Sequence, residues 1–186
     1  FKNTADTNNK ITVIKCSEQT FYQYQMANLT ISKTDKDTNE AVSNVGIKIL
    51  SKLGQDISSN NTEFKSGEYA WLNSDGSFTK NEKDASEFKT DSNGKIKVEN
   101  IPIGTYYIYE TTPNPEYYLS EQDNYKATKP RGFTGDINGG EYALLKTVEI
   151  KQENLNNDVE VKAVNLQKKG KLTIKKADAT YEKDLG

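Results

Sequence analysis

Three polar side chains lie where the surrounding alternation would continue an apolar face. Residues two apart on a strand share a face, so Lys33 follows Leu29 and Ile31 inward while Thr30 and Ser32 look outward. Tyr106, Ile108 and Glu110 share a second face; Val159, Val161, Ala163 and Asn165 share a third, with Glu160 and Lys162 turned outward. Taken singly, each of the three reads as a strand end emerging into water. Taken jointly, a lysine, a carboxyl and a carboxamide at the ends of three apolar faces suggest chemistry. Burial lowers a lysine pKa and raises that of a carboxyl. A neutral amine is a nucleophile, and a protonated carboxyl can hydrogen-bond and polarise an amide carbonyl. Beside an asparagine side chain, such a set can form a Lys–Asn isopeptide bond with loss of ammonia, without histidine, metal or cofactor.

The elements that must position these residues read as strands. Short runs rich in Val, Ile, Tyr and Thr occur at Lys10–Lys15, Phe21–Ser32, Val45–Leu50, Lys95–Val98, Tyr106–Thr111, Tyr142–Ile150 and Val159–Leu166. Clusters of Asn, Asp, Ser and Gly separate them, and Asp91-Ser92-Asn93-Gly94 reads as a hairpin turn with Gly94 at positive φ. No long segment carries a helical period. The pattern predicts an all-β, immunoglobulin-like or transthyretin-like sandwich. The polar stretch Ser51–Glu87 is expected to hold a side hairpin around Tyr69-Ala70-Trp71-Leu72.

An internal echo sets the expected domain limits. Leu29-Thr30-Ile31-Ser32-Lys33-Thr34-Asp35 returns as Leu172-Thr173-Ile174-Lys175-Lys176-Ala177-Asp178, which predicts a tandem array. A complete unit then runs over 29–169, with 1–28 as the end of a preceding domain or lead-in strands. Residues 170–186 become a linker and the first strand of a following repeat, where Lys176 takes the place of Lys33.

Composition removes several function classes. Histidine is absent and Cys16 is the one cysteine, so Ser-His-Asp and Cys-His arrangements, a Cys/His zinc set and an intrachain disulfide are all excluded. With 25 Lys and Arg against 27 Asp and Glu, the net charge of −2 offers no basic stripe for nucleic acid. Lys168-Lys169-Gly170-Lys171 reads as a solvated linker, and no apolar run reaches the length of a membrane span. Asp35-Lys36-Asp37-Thr38-Asn39 opens like a calcium loop, but Glu40 and Gly46 stand where a glycine and a glutamate are required, so a turn is expected. A Cys16 thioester finds no patterned partner among Gln19, Gln23 and Gln25, which leaves a free thiol. Trp71 is expected to pack beneath the side hairpin rather than to stack on a sugar.

Several motifs resemble a known family. Lys33-Thr34-Asp35-Lys36-Asp37-Thr38 followed by Val45-Gly46-Ile47-Lys48-Ile49 is similar to the opening strands of CnaB-type (SpaA-like) domains of Gram-positive pilins and surface adhesins. The run Phe88–Ile96 and then Gly104-Thr105-Tyr106-Tyr107-Ile108-Tyr109-Glu110-Thr111 resembles that family's central strands, and Val164-Asn165-Leu166 its closing strand. The resemblance spans most of 29–169. It implies that Lys33 is the nucleophile, Asn165 the acceptor and Glu110 the catalytic proton shuttle of an isopeptide crosslink. It departs at Asn44 and Val45, where a Gly-Ala pair is usual, and at Tyr117, where a glycine is common.

The expectation is therefore a structural stalk or spacer on the bacterial surface, in a pilus or a wall-anchored adhesin. It is no enzyme beyond a single self-crosslinking turnover, holds no cofactor or metal, and has neighbouring domains of the same chain as partners. Two rivals remain open. One is a module that contacts a host matrix protein or glycan through Ser51–Glu87 and Ser120–Tyr142; the other is an accessory domain of a carbohydrate enzyme, with Glu110 merely structural.

Overall fold

The computed structural model describes residues 13–16, 19–22, 26–119, 129–137, 141–155, 157–170 and 172. Thirteen strands occur in these residues. They are β1 (Val13–Cys16), β2 (Gln19–Tyr22), β3 (Met26–Asp35), β4 (Gly46–Leu53), β5 (Ile57–Ser59), β6 (Thr62–Phe64), β7 (Tyr69–Leu72), β8 (Phe78–Thr79), β9 (Phe88–Lys89), β10 (Lys95–Pro102), β11 (Gly104–Thr112), β12 (Ala143–Ile150) and β13 (Asp158–Asn165). Lys176 and the rest of 173–186 lie outside the described residues, as do most of 1–25.

Two sheets face each other. One has the order β10-β3-β13; the other runs β12-β11-β4-β7-β8, with β9 paired to β4. Alternation creates the shared core: Leu29 and Ile31 of β3, Ile96 and Val98 of β10 and Val161 of β13 meet Ile47, Ile49, Tyr106, Ile108 and Ile150 from the opposite sheet. The chain is thus an all-β sandwich. β13 lies parallel to β3, from Asp158↔Asn28 to Asn165↔Asp35, so the first and last strands of the sandwich are neighbours. β3 begins at Met26, with Ala27 already buried, and Asn28 donates to Asp158 Oδ1 at 3.0 Å.

Two local expectations are corrected. Tyr69–Leu72 does form a hairpin, with β8 (Trp71↔Thr79, Leu72↔Phe78), but it is no side element: β7 joins the main sheet through Leu50↔Trp71 and Ser51↔Ala70. A second hairpin in this stretch is β5–β6, turning at Asn60 and Asn61, whose φ values of 47° and 60° match the left-handed pair of a two-residue loop. The turn Asp91–Gly94, by contrast, closes no hairpin. Its flanking strands belong to different sheets, because β9 pairs with β4 and β10 with β3, so the turn carries the chain across the sandwich.

A second apolar layer covers the outer face of the larger sheet. Leu50, Trp71, Tyr109, Ile137 and Tyr142 are buried together there, with Phe133 against them. Trp71 is 1% exposed and packs on Tyr109 and Phe133 at ring separations of 6.1 and 6.3 Å, which leaves no face for a sugar. Lys48 and the Tyr142 hydroxyl both donate to Glu82 Oε1, tying the covering segments to β4.

Candidate functional site

Lys33, Glu110 and Asn165 each show 0% exposure. β3 carries Lys33 and the neighbouring β13 carries Asn165, while β11 of the opposite sheet brings Glu110 across the core. Lys33 Nζ donates to Glu110 Oε2 at 3.1 Å and to the Val164 carbonyl at 3.3 Å. The Asn165 carboxamide donates from Nδ2 to Glu110 Oε1 at 2.8 Å and to the Tyr118 carbonyl at 3.3 Å. One carboxyl group therefore touches both the amine and the carboxamide. Asn165 Oδ1 is buried without a hydrogen-bond partner among the described residues.

Backbone bonds hold each member of this set. Lys33 N–H donates to the Gly94 carbonyl at 2.8 Å, and its own carbonyl accepts from Val42 N–H at 3.0 Å. The Asn165 carbonyl accepts from Lys36 N–H at 2.9 Å. Glu110 sits in a strand paired on both sides, opposite Ile47 of β4 and Ala143 of β12.

Three further residues support the trio: Thr90 and Gly94, which carry no group able to join the reaction, and Asp35, which the sequence places in a turn. Thr90 is 4% exposed; its hydroxyl accepts from Val45 N–H at 3.0 Å and donates to the Val42 carbonyl at 2.9 Å, fastening the connection between β3 and β4, whose Val42 N–H bonds Lys33. Gly94 has φ 69°, and a Cβ there would lie 2.4 Å from the Lys33 carbonyl oxygen. The run Phe88–Ile96 already contained both residues, and its turn signal was the clue to Gly94. Asp35 is 3% exposed and its Oδ1 accepts from Asp37 N–H at 2.7 Å and Thr38 N–H at 2.8 Å. The Thr38 N–H bond holds its pKa below the usual 3.8 against the opposing effect of burial, with the Asp37 N–H and the Tyr117 hydroxyl assisting. The carboxylate thus serves a turn, and no cluster of metal-ligating residues occurs among the described residues.

A buried amine, carboxyl and carboxamide in hydrogen-bond contact, in a two-sheet prealbumin-like sandwich, define a domain built around one interior polar cluster. The family profile of SpaA, a prealbumin-like fold domain, matches residues 27–132, which is more than half of the chain. The chain belongs to this family of SpaA-type prealbumin-like domains. No protein of curated function matches it.

Among solved structures, the chain is similar to GBS52, the minor pilin of Streptococcus agalactiae, at 15% identity over 84% of this chain and 51% of that one, with a TM-score of 0.46. The group B streptococcus pilus 2b backbone protein gives 16% identity, 89% and 52% coverage and a TM-score of 0.46. The shaft pilin SpaA of Lactobacillus rhamnosus GG gives 17%, 81%, 50% and 0.44. The chain spans about half the length of these three pilins. The family assignment rests on the profile match. No helix among the described residues is long and apolar enough to cross a membrane.

Proposed function

We propose that the chain is a stalk or spacer segment of a Gram-positive pilin or wall-anchored adhesin, displayed on the cell surface and closed by a Lys33–Asn165 isopeptide bond. One observation carries the crosslink: Glu110 holds Lys33 on one oxygen and Asn165 on the other, in an interior without exposed surface. Family membership supports the stalk role, and the lack of an intrachain disulfide leaves room for another covalent tie.

The reaction balances within the trio. A proton passes from the Lys33 ammonium to the Glu110 carboxylate, leaving a neutral amine and a carboxylic acid. Lys33 Nζ attacks Asn165 Cγ, and Glu110 relays the excess proton from the new C–N nitrogen to Nδ2. The Cγ–Nδ2 bond then breaks and ammonia leaves, with Glu110 protonated beside the new amide. The change happens once per molecule, so the protein is a substrate of its own chemistry and no enzyme in the ordinary sense. Its working partners are the neighbouring domains of the same chain.

Intact mass and peptide mapping test the proposal. The expected chain is lighter by one ammonia, the deficit maps to Lys33 and Asn165, and Lys33→Ala, Glu110→Ala and Asn165→Ala each abolish it and lower the melting temperature. A full-mass chain, or a melting temperature unchanged in all three variants, overturns the crosslink.

A further inference from the structure

The chain leaving β13 is fastened to the segment that follows β11. Tyr118 N–H donates to the Leu166 carbonyl at 3.0 Å, and Lys168 N–H to the Glu116 carbonyl at 2.8 Å, around an antiparallel Tyr117↔Gln167 bridge. Lys168 Nζ adds a bond to the Pro115 carbonyl at 3.0 Å. Asn114 shapes the turn beneath: its Oδ1 accepts from Glu116 N–H at 3.0 Å and its Nδ2 donates to the Ser43 carbonyl at 2.9 Å. This clip lies directly after the last residue of the trio, and its inner carbonyl, that of Tyr118, reaches Asn165 Nδ2.

The consequence concerns the carboxamide. An amide nitrogen offers two N–H bonds in the plane of its carbonyl. Both are taken at Asn165, one by Glu110 Oε1 and one by the Tyr118 carbonyl, so the plane is fixed and Nδ2 is the pinned end. An amine must meet the face of that plane, and a held plane removes rotational freedom from the approach. Tyr118 is 37% exposed, and the group that accepts from Asn165 is its backbone carbonyl.

We propose that the clip between 116–118 and 166–168 is a latch that completes the reaction centre, with the Tyr118 peptide as a positioning group for the departing nitrogen of Asn165. The inference rests on the crosslink reading above and adds a condition to it. Ammonia loss follows closure of the latch, so the bond forms only once the last strand has docked and its exit is clipped down. The atoms exchanged are unchanged: the Nζ–Cγ bond forms, the Cγ–Nδ2 bond breaks, and the Tyr118 carbonyl accepts a hydrogen bond throughout.

The test follows the loss of ammonia by intact mass in samples withdrawn during cell-free synthesis of the chain. Tyr118→Pro removes the N–H that docks on Leu166, and Asn114→Ala loosens the turn without touching either strand. Losing one hydrogen bond that is made in the transition state slows crosslinking about tenfold, and that is the result expected of both variants. Tyr118→Ala keeps the peptide and is expected to crosslink at the wild-type rate. Built in a Lys33→Ala background, Asn114→Ala reads the stability lost with the turn's own two hydrogen bonds, and crosslinking rates are compared at a temperature where every chain is folded, which separates positioning from general destabilisation. If the wild-type chain crosslinks and folded Asn114→Ala and Tyr118→Pro keep pace with it, the latch is overturned while the crosslink stands. If the wild-type chain never loses ammonia, both are overturned.

Discussion

Removing a lysine ammonium and a carboxylate from water costs several kcal/mol each, and their attraction offsets this only when the geometry is good and the remaining donors are satisfied. Lys33 and Glu110 meet at 3.1 Å with 0% exposure on both side chains, and the Val164 carbonyl takes another Lys33 donor. The orphan is Asn165 Oδ1, and an unmet buried acceptor costs about 1–3 kcal/mol. The site thus holds the Asn165 carboxamide in a conformation that hydrogen bonding alone leaves incomplete. Removing one partner of a buried ion pair typically costs about 3–5 kcal/mol, whereas removing both charges together is often nearly neutral. Lys33→Met, with Glu110 left behind, should therefore be less stable than the double variant Lys33→Met/Glu110→Gln, although neither can crosslink. Urea denaturation checks this, and a single variant as stable as the double one would mean that Glu110 carries no buried charge there.

At the scale of elements, the working parts are turns and strand ends rather than whole strands. The Asp91–Gly94 crossing turn presses its backbone onto Lys33, Thr90 ties down the connection between β3 and β4, and the Asp35 turn supports the end of β3 opposite Asn165. Asp35 gives this support a pH signature. Its pKa is held below 3.8 in the folded chain, chiefly by Thr38 N–H. A depressed folded value means that the contribution is present above the unfolded value and is lost as pH falls through the folded one. In the uncrosslinked Lys33→Ala chain, stability should hold near neutral pH and decline below about pH 4. Asp35→Asn should start lower and show a shallower acid limb. Equal slopes for the two chains, measured by denaturation at stepped pH, would remove Asp35 from the account.

For the whole molecule, the pairing of first and last strands decides how load is borne. β3 and β13 are parallel, so tension applied at Met26 and beyond Asn165 acts along their shared ladder, in shear across eight register pairs. A bond between Lys33 and Asn165 would route that load past nearly all of the intervening chain. In the loop-entropy description developed for disulfides, closing a loop of this size contributes about 5 kcal/mol. Single-molecule stretching should therefore show almost no unfolding length between these residues in the wild-type chain and a long step in Lys33→Ala. A long step in both chains would show that the load path stays open.

Alternation alone places Lys33, Glu110 and Asn165 on inward faces, because the direction of a side chain follows from its parity on a strand and from its apolar neighbours. The all-β class and the need for a turn at Gly94 are legible for the same local reason. Which strands pair is a question of long-range closure, and no local signal answers it. Only the tertiary structure sets β13 beside β3, places the β7–β8 hairpin in the main sheet rather than to its side, and makes Asp91–Gly94 a crossing between sheets. The latch belongs to this second kind. It works through the carbonyl and N–H of Tyr118, groups that every residue except proline possesses, so its function lies in where the backbone passes and not in which side chain it carries.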